Sequence, residues 1–398
     1  MTIVSNLVRF GRRQLHTIVS SREIIKPSSP TPSHLKTHNL SLLDQTSNNS
    51  FMPIVSFYPN TVDSGSAREK TLALKKSLSQ TLAKYYPFAG RHAKFAPYYV
   101  DCNDEGAVFH EASVDSTLSD FLQNSVQNKD LDHFFPYGLV NFRWNREYHD
   151  LQSDKVIPLA VQVNHFECGG VAVAVSLSHK LADGSNLVQF IGDWAKMTKF
   201  SSLPTDPHYL SLPEMNINFP GLSIECSVSA ATKNNSGSFK PTLGIHLASM
   251  RARMIEPLPD KTIGNLFTPM EIFTNQESDL RPEVFISELK KQKMQSKGIK
   301  NIETLFEILS GMSSEIALKE MQRKLDEGYL CSSLCGLPIY DIDFGWGNPV
   351  KTTLGGNAKQ NSFILIDTPK NDGIEALVCL GEEDMNIFQN DPELLSFC

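Results

Sequence analysis

The sequence contains little cysteine, no excess of basic charge and no long apolar run. Its seven cysteines are spread over 398 residues, and such an odd, dilute set is typical of reduced thiols rather than a disulfide framework. Cys331 and Cys335 lie four positions apart, but no second pair completes a zinc site, so no metal is predicted. The balance of 37 Lys+Arg against 44 Asp+Glu argues against a general nucleic-acid binder, which needs a basic face. No run approaches the roughly 18 apolar residues of a membrane helix, so no membrane association is predicted.

The first 22 residues lack acidic side chains altogether. Arg9, Arg12, Arg13 and Arg22 alternate there with apolar and hydroxyl residues, which is the composition of an organelle transit peptide. Composition alone is weak evidence for targeting, so a disordered N-terminal extension over 1–22 is the preferred interpretation. We therefore expect a cytoplasmic monomer, with organelle targeting through 1–22 as the alternative.

The remaining sequence has ordinary globular composition, with 40% hydrophobic and 20% charged residues. At about 150 residues per domain, the length predicts two or three domains. Residues 199–221 are rich in Ser and Pro without periodicity and are interpreted as a crossover linker. Hydrophobic periodicity predicts helices over 67–85, 184–197 and 282–295, strands over 157–166 and 170–178, and a hairpin pairing 362–367 with 374–380. The expected fold class is α+β, with an N-terminal domain over 23–198 and a C-terminal domain over 222–398.

His179 follows a strand whose two faces are both apolar, at a point where a loop can present it to a cleft. A lone histidine there is more often a hydrogen-bonded core residue than a catalyst. Asp183 lies four residues later, and Gly184 permits a sharp turn into the next helix. Asp183 also suits the N-cap of that helix. The pattern alone leaves both interpretations open.

A second pattern, Asp343-Phe344-Gly345-Trp346-Gly347, lies near the C-terminus. Two glycines around a tryptophan, preceded by an aspartate, indicate a tight loop with closely approaching backbone. We interpret this segment as a well-packed turn.

Together these two patterns resemble those of the plant BAHD acyltransferases, which carry His-x-x-x-Asp-Gly in mid-chain and Asp-Phe-Gly-Trp-Gly near the C-terminus. Residues 25–32 and the acidic segment 382–385 are most similar to the alkaloid-acetylating branch of that family. Further collinear matches are Leu43-Asp44-Gln45, Tyr86–Arg91, Asp101–Asp104, Phe166–Gly170, Arg251–Met254 and Gly264-Asn265.

The resemblance implies two similar chloramphenicol-acetyltransferase-like domains with mixed sheets and a channel between them. His179 would be the general base in transfer of an acetyl group from acetyl-CoA, or another acyl-CoA, to a hydroxyl of an alkaloid or related plant specialised metabolite. Asp183, Gly184 and Arg251 would support the catalytic loop, with Arg251 pairing with Asp183. Asp343, Phe344, Gly345, Trp346 and Gly347 would shape the CoA side.

The sequence also departs from the family. One strand and one helix of the second domain are missing near 221–224, and Leu334 and Gly336 stand where relatives usually have tryptophan and arginine. These departures predict a shortened second domain and leave a non-catalytic, ligand-binding paralog as the alternative function. A third hypothesis, a covalent intermediate on Cys168 or Ser178, ranks last because no Gly-x-Ser-x-Gly elbow is present.

Overall fold

A computed structural model shows how the chain is arranged. The structure describes residues 17–47, 50–61, 65–93, 99–124, 131–138, 155–200, 241–251, 254–256, 258, 262–295, 299, 301, 304, 320, 323–324, 328–356 and 361–390. The strands are β1 Thr17–Ile25, β2 Thr37–Asn39, β3 Phe51–Tyr58, β4 Arg91–Ala93, β5 Tyr99–Asp101, β6 Ala107–Val114, β7 Lys155–Val156, β8 Leu159–Phe166, β9 Val171–Ser178, β10 Thr242–Ser249, β11 Phe267–Thr274, β12 Tyr329–Ser333, β13 Lys351–Leu354, β14 Ser362–Asp367 and β15 Ile374–Cys379. The α-helices are α1 Leu42–Thr46, α2 Ala67–Lys84, α3 Leu118–Asn124, α4 Gly184–Lys199, α5 Pro282–Gln295 and α6 Glu382–Phe388.

The first half of the chain is built on a six-stranded mixed sheet in the order β1-β6-β8-β9-β3-β13. All eight residues of β9 are buried, which confirms the prediction of an interior strand, apolar on both faces. Strands β6 and β8 are parallel, whereas β8–β9 and β9–β3 are antiparallel. A smaller sheet in the order β2-β5-β4-β7 accompanies it. The end of β9, where the sequence places His179, is therefore anchored by a strand on each side.

Helices α2 and α4 lie together against this sheet, close to their predicted bounds. Helix α2 begins with a capping box between Ser66 and Glu69, which satisfies backbone donors at its first turn. In α4, Trp194 is fully buried and its indole N–H donates to the carbonyl of Leu74 at 3.2 Å and to Ser77 Oγ at 3.0 Å. These contacts fix the helix that begins directly after the His179 loop.

The second half forms a separate mixed sheet in the order β11-β10-β12-β14-β15. The predicted hairpin is confirmed, because β14 and β15 pair antiparallel from Ser362 opposite Cys379 to Asp367 opposite Ile374. The helix predicted over 282–295 is α5, and its Phe285 and Leu289 are buried in the core of this half. Two α+β units with mixed sheets thus agree with the expected fold class.

One segment of the second half packs on the first. Strand β13 pairs antiparallel with β3 of the six-stranded sheet, with Thr353 opposite Val55. Residues from Leu337 to Trp346 join the core formed by α2, α4 and that sheet. The sequence assigned Asp343–Gly347 to the C-terminal domain, yet its side chains pack against the N-terminal one, because the chain crosses back between β12 and β14 to supply an edge strand.

The expected disorder of residues 1–22 is wrong for Thr17–Arg22. These residues belong to β1, which pairs antiparallel with β6 from Thr17 opposite Val114 to Ile25 opposite Ala107. As an edge strand β1 is half exposed, and Ile18 keeps 66% of its surface accessible. The expectation rested on the composition of residues 1–22, which does not distinguish a half-exposed edge strand from a disordered extension. Residues 1–16, the linker from residue 201 onward and the junction near 221–224 lie outside the described residues, so the domain boundaries and the shortened second domain stay predictions.

Candidate active site

His179 stands at the first position after β9. Its backbone N–H donates to the carbonyl of Ser50 at 2.8 Å, so the pairing of β9 with β3 continues one residue past the strand. This bond fixes the main chain of His179 at the rim of the sheet. The imidazole lines a cavity rather than the interior of the domain.

The cavity lies between the two halves of the molecule and has a volume of about 160 Å³. Its walls come from β3, β13, α4 and the loop after β9 on one side and from β10, β11, β12 and β14 on the other, as expected for an interdomain channel. Hydrophobic side chains dominate the surface around the imidazole. The lining residues are Ser47, Ser50–Pro53, His179, Gly184, Leu187, Leu247, Phe267, Leu330, Ser332, Leu334, Leu354 and Ser362–Ile364.

Asp183 is fully engaged in contacts other than with His179. Its Oδ1 accepts from the backbone N–H of Asn186 at 3.0 Å, which makes Asp183 the N-cap of α4. Its Oδ2 accepts from Arg251 Nε at 3.1 Å and from the backbone N–H of Leu266 at 3.2 Å. The carboxylate therefore ties the His179 loop to the second half instead of orienting the imidazole.

Arg251 completes this connection with the rest of its guanidinium. One terminal nitrogen donates to the carbonyl of Thr262 at 3.0 Å, and the other donates to Asn186 Oδ1 at 2.8 Å and the carbonyl of Gly264 at 2.7 Å. The side chains of Asp183 and Arg251 are only 14% and 10% exposed. We call Asp183, Asn186 and Arg251 the loop clamp. The sequence predicted the Asp183–Arg251 contact but missed Asn186, whose position in the first turn of α4 was the available signal.

A second connection lies on the other side of the loop. Asn265 donates through its backbone N–H and side-chain amide to Asp44 Oδ1, at 2.7 and 2.8 Å. The same amide donates to the carbonyl of His179 at 2.8 Å. Burial raises the pKa of Asp44, although hydrogen bonds from Ser41 and Asn265 oppose that shift. Asp44 and Asn265 match the family pattern in the sequence, but the sequence alone predicts no role for either residue.

Lys180, the neighbour of His179, points away from the cavity. It is 5% exposed, and its Nζ donates to the carbonyls of Gln45 at 2.7 Å and Ser47 at 2.9 Å. Burial lowers the pKa of Lys180 to about 8, which the negative charge of Asp44 partly offsets. Lys180 thus joins α1 to the loop and does not place a cation in the cavity.

Gly184 faces the residue that departs from the family pattern. A Cβ placed on Gly184 would lie 2.7 Å from Cδ2 of Leu334, so the end of the Leu334 side chain would have to move. Both residues line the cavity, so this part of the wall has no free space beside the start of α4.

The chain is similar to known proteins along most of its length. A profile described as the Transferase family matches residues 15–211 and 225–395. The chain belongs to the BAHD Transferase family. Akuammiline synthase 1 of Alstonia scholaris is 32% identical over 424 residues, covering 95% of this chain and 96% of that protein. Stemmadenine O-acetyltransferase of Catharanthus roseus is 30% identical over 422 residues, covering 94% and 96%.

A solved structure agrees with the fold. The crystal structure of vinorine synthase superposes with a TM-score of 0.75 at 28% identity, covering 96% of this chain and 98% of that one. The expected fold of two mixed-sheet domains is confirmed. As a BAHD protein the chain is an acyltransferase, and acyl-CoA is its acyl donor.

The second BAHD motif is the packed turn that the sequence predicted. Asp343 Oδ1 accepts from the backbone N–H groups of Gly345 at 2.7 Å and Gly347 at 2.9 Å, and both glycines have positive φ, +103° and +99°. Asp343 Oδ2 accepts from Lys199 Nζ at 2.5 Å. Although burial opposes ionisation, these hydrogen bonds hold the pKa of Asp343 below its ordinary value.

Aromatic packing completes this turn. Phe344 packs against Trp194 with ring centroids 5.0 Å apart, and Trp346 lies 5.9 Å from the ring of Tyr58. None of the five motif residues lines the His179 cavity. The motif therefore joins the crossing segment to the first half.

The alternative nucleophiles lie elsewhere. Ser178 is buried, and its Oγ shares a 2.9 Å hydrogen bond with His92 Nε2. Cys168 is exposed, and its Sγ accepts from the backbone N–H of Leu118 at 3.3 Å. Neither residue lines the cavity. Among the described residues, no three His, Cys, Asp or Glu side chains cluster as metal ligands, and no helix has the length and apolarity to cross a membrane.

Proposed function

We propose that this BAHD acyltransferase moves an acetyl group from acetyl-CoA to a hydroxyl of an alkaloid or related plant specialised metabolite, with His179 as the general base. The observation that carries the proposal is the position of His179 in a cavity between the two halves, held by the loop clamp. Two similar proteins, stemmadenine O-acetyltransferase and vinorine synthase, support the acceptor class by their names.

The proposed reaction needs one proton shuttle and no covalent enzyme intermediate. The imidazole takes the proton of the acceptor hydroxyl while the hydroxyl oxygen attacks the thioester carbonyl of acetyl-CoA. The C–S bond then breaks, and the departing thiolate receives the proton from the imidazolium. Imidazole suits both steps because it accepts and releases protons near neutral pH. Two substrates placed beside one base also gain the rate advantage of proximity.

The chemistry of the cavity favours a small neutral acyl group. Within the described residues, its lining contains four serines and otherwise apolar side chains besides His179, with no Lys, Arg, Asp or Glu. A carboxylated acyl group would bury an unpaired negative charge there, which is costly. We therefore expect acetyl-CoA to be used in preference to malonyl-CoA.

The remaining predicted site residues are given supporting roles. Asp183, Gly184 and Arg251 would hold the loop that bears His179. Asp343–Gly347 would keep the crossing segment in place on the CoA side of the molecule. The non-catalytic alternative is not favoured, because the chain matches named acyltransferases along more than nine-tenths of its length.

Turnover with a panel of alkaloid alcohols tests the proposal. Free thiol released from acetyl-CoA is measured together with the mass of the acetylated product, and a parallel reaction contains malonyl-CoA. His179→Ala should lower kcat by about 10²- to 10⁴-fold, the usual contribution of a general base. His34→Ala, which removes an exposed histidine, is the matched control and should behave as wild type. A folded His179→Ala protein that acetylates at the wild-type rate would contradict the assignment.

We further propose that the chain acts as a monomer in the cytoplasm. Light scattering after size exclusion tests the first statement. Imaging of full-length and residue 1–16-deleted fusions tests the second against organelle targeting.

A further inference from the structure

Ser50 lies directly opposite His179 where β3 and β9 pair. Phe51 faces Ser178 in this antiparallel pair, so the next pair along is Ser50 and His179, and the 2.8 Å backbone bond joins these two residues. Directly opposed residues of an antiparallel pair place their side chains on the same face, with Cβ atoms about 5 Å apart. Both residues line the same cavity.

Each of these side chains carries a buried polar atom without a partner. Among the described residues, neither Ser50 Oγ nor His179 Nδ1 has a hydrogen bond, and Ser50 is only 1% exposed. Nearly all buried polar groups in native proteins are paired, so each exception calls for an explanation. Other buried serines nearby are satisfied: Ser56 Oγ lies 2.9 Å from Thr352 Oγ1, and Ser178 Oγ lies 2.9 Å from His92.

A histidine that acts as a base through Nε2 must carry its proton on Nδ1. The tautomer is set by the group that accepts the Nδ1–H. Asp183 is not that group, because its two oxygens already accept from Asn186, Arg251 and Leu266. The Ser50 hydroxyl lies opposite His179 in the strand pair and makes no other hydrogen bond within the part of the chain that the structure describes.

We propose that Ser50 is a positioning residue, whose Oγ accepts the Nδ1–H of His179 when substrates are bound and so presents a basic Nε2 to the acceptor hydroxyl. The inference rests on the proposed role of His179. Hydrogen bonds of catalytic groups are often long in ligand-free enzymes and shorten in the complex. The hydroxyl proton of Ser50 remains available to an oxygen of the bound substrates.

Kinetics of three serine variants test this role. Ser50→Ala should lower kcat about 10- to 100-fold with KM within about threefold of wild type, while Ser50→Thr, which keeps the hydroxyl, should retain most of kcat. Ser50→Ala should not lower the unfolding temperature, because the lost hydroxyl has no hydrogen-bond partner among the residues that the structure describes. Ser56→Ala, in the same strand, is the matched control and should lose stability but keep kcat per folded molecule. A folded Ser50→Ala enzyme with kcat within twofold of wild type would overturn the proposal.

A spectroscopic measurement separates this inference from the proposed function. In protein labelled with ¹⁵N-histidine and saturated with CoA, the His179 signal, assigned through His179→Ala, should show Nδ1 protonated and Nε2 free. Ser50→Ala should shift the signal toward the other tautomer, and an identical spectrum in both proteins would refute the positioning role even if no acceptor is turned over. Should Ser50→Ala fold poorly, Ser50→Cys replaces it in both measurements. Wild-type inactivity with every acceptor would instead count against the proposed function.

Discussion

Replacing Arg251 by methionine removes the charged half of the loop clamp while keeping most of the apolar stem. The Asp183 carboxylate then retains only the backbone N–H groups of Asn186 and Leu266 as described donors. The carbonyls of Thr262 and Gly264 each lose one donor, and Thr262 keeps its hydrogen bond from the Asn186 side-chain amide. The side chains of Asp183 and Arg251 are only 14% and 10% exposed, so both charges are largely buried. Breaking a buried ion pair on one side costs about 3–5 kcal/mol, so we expect Arg251→Met to lose stability on that scale.

The second partner sharpens this test. Asp183→Asn in the Arg251→Met background removes the stranded charge, so the double variant should be less destabilised than the sum of the single variants by about 1–3 kcal/mol. Urea unfolding followed by fluorescence measures these differences, and kcat/KM for acetyl transfer is recorded for the folded enzyme. We expect kcat/KM to fall, because the clamp holds the segment from His179 to Gly184 in place.

An exposed pair provides the control. Arg323 donates to Glu320 on the surface, with side chains 54% and 47% exposed, and Arg323→Met should change neither stability nor activity measurably. Additive single and double variants, or an Arg251→Met enzyme with wild-type stability and kcat/KM, would refute the reasoning about the clamp.

Two further predictions follow from local packing and from burial. Gly184→Ala should lower kcat modestly, because its new Cβ would lie 2.7 Å from Leu334 Cδ2 and would displace that side chain within the cavity wall. Leu334→Ala in the same chain should restore part of the rate, and independence of the two substitutions would contradict that contact. Burial lowers the pKa of His92 to about 4 despite its hydrogen bond to the carbonyl of Ala93, so between pH 6.5 and 4 the unfolded chain binds a proton that the folded one does not. The free energy of unfolding should therefore fall as the pH drops through this window, by about 3 kcal/mol for this group. Urea unfolding at several pH values measures this fall, which should be smaller in His92→Asn. An equally steep decline in the variant would show that other groups cause it.

Local patterns predicted much of the fold. The apolar faces of β9, the leucines at four-residue spacing in α2 and the turn between β14 and β15 each have a signal within a dozen residues. The motifs also led to His179 and to the pairing of Asp183 with Arg251. The strand, helix and turn depend on residues close together in sequence. The site residues were predicted from the resemblance to a family in which the same residues recur.

The features that the sequence did not predict depend on contacts between residues far apart in the chain. Ser50 looks like any polar residue before a strand, and only the register of β3 against β9 places it opposite His179. The bond between Asn265 and Asp44 joins residues 221 positions apart. Strand β1 is too exposed to show a regular apolar pattern. The four residues of β13 do not indicate that this strand pairs with β3.

The pairing of β13 with β3 also has a consequence for the order in which the protein is made. The sheet that holds His179 receives its last strand only when residue 354 has been synthesised, about 300 residues after β3. Before that point, β3 lacks the strand that pairs with its outer edge in the described structure, and Tyr58 and Trp194 lack their ring contacts with Phe344 and Trp346. We therefore expect the N-terminal half to complete its core only after this segment of the second half has been synthesised. Contacts between residues this far apart in sequence form slowly, so we expect the closing of this sheet to be a late step of folding.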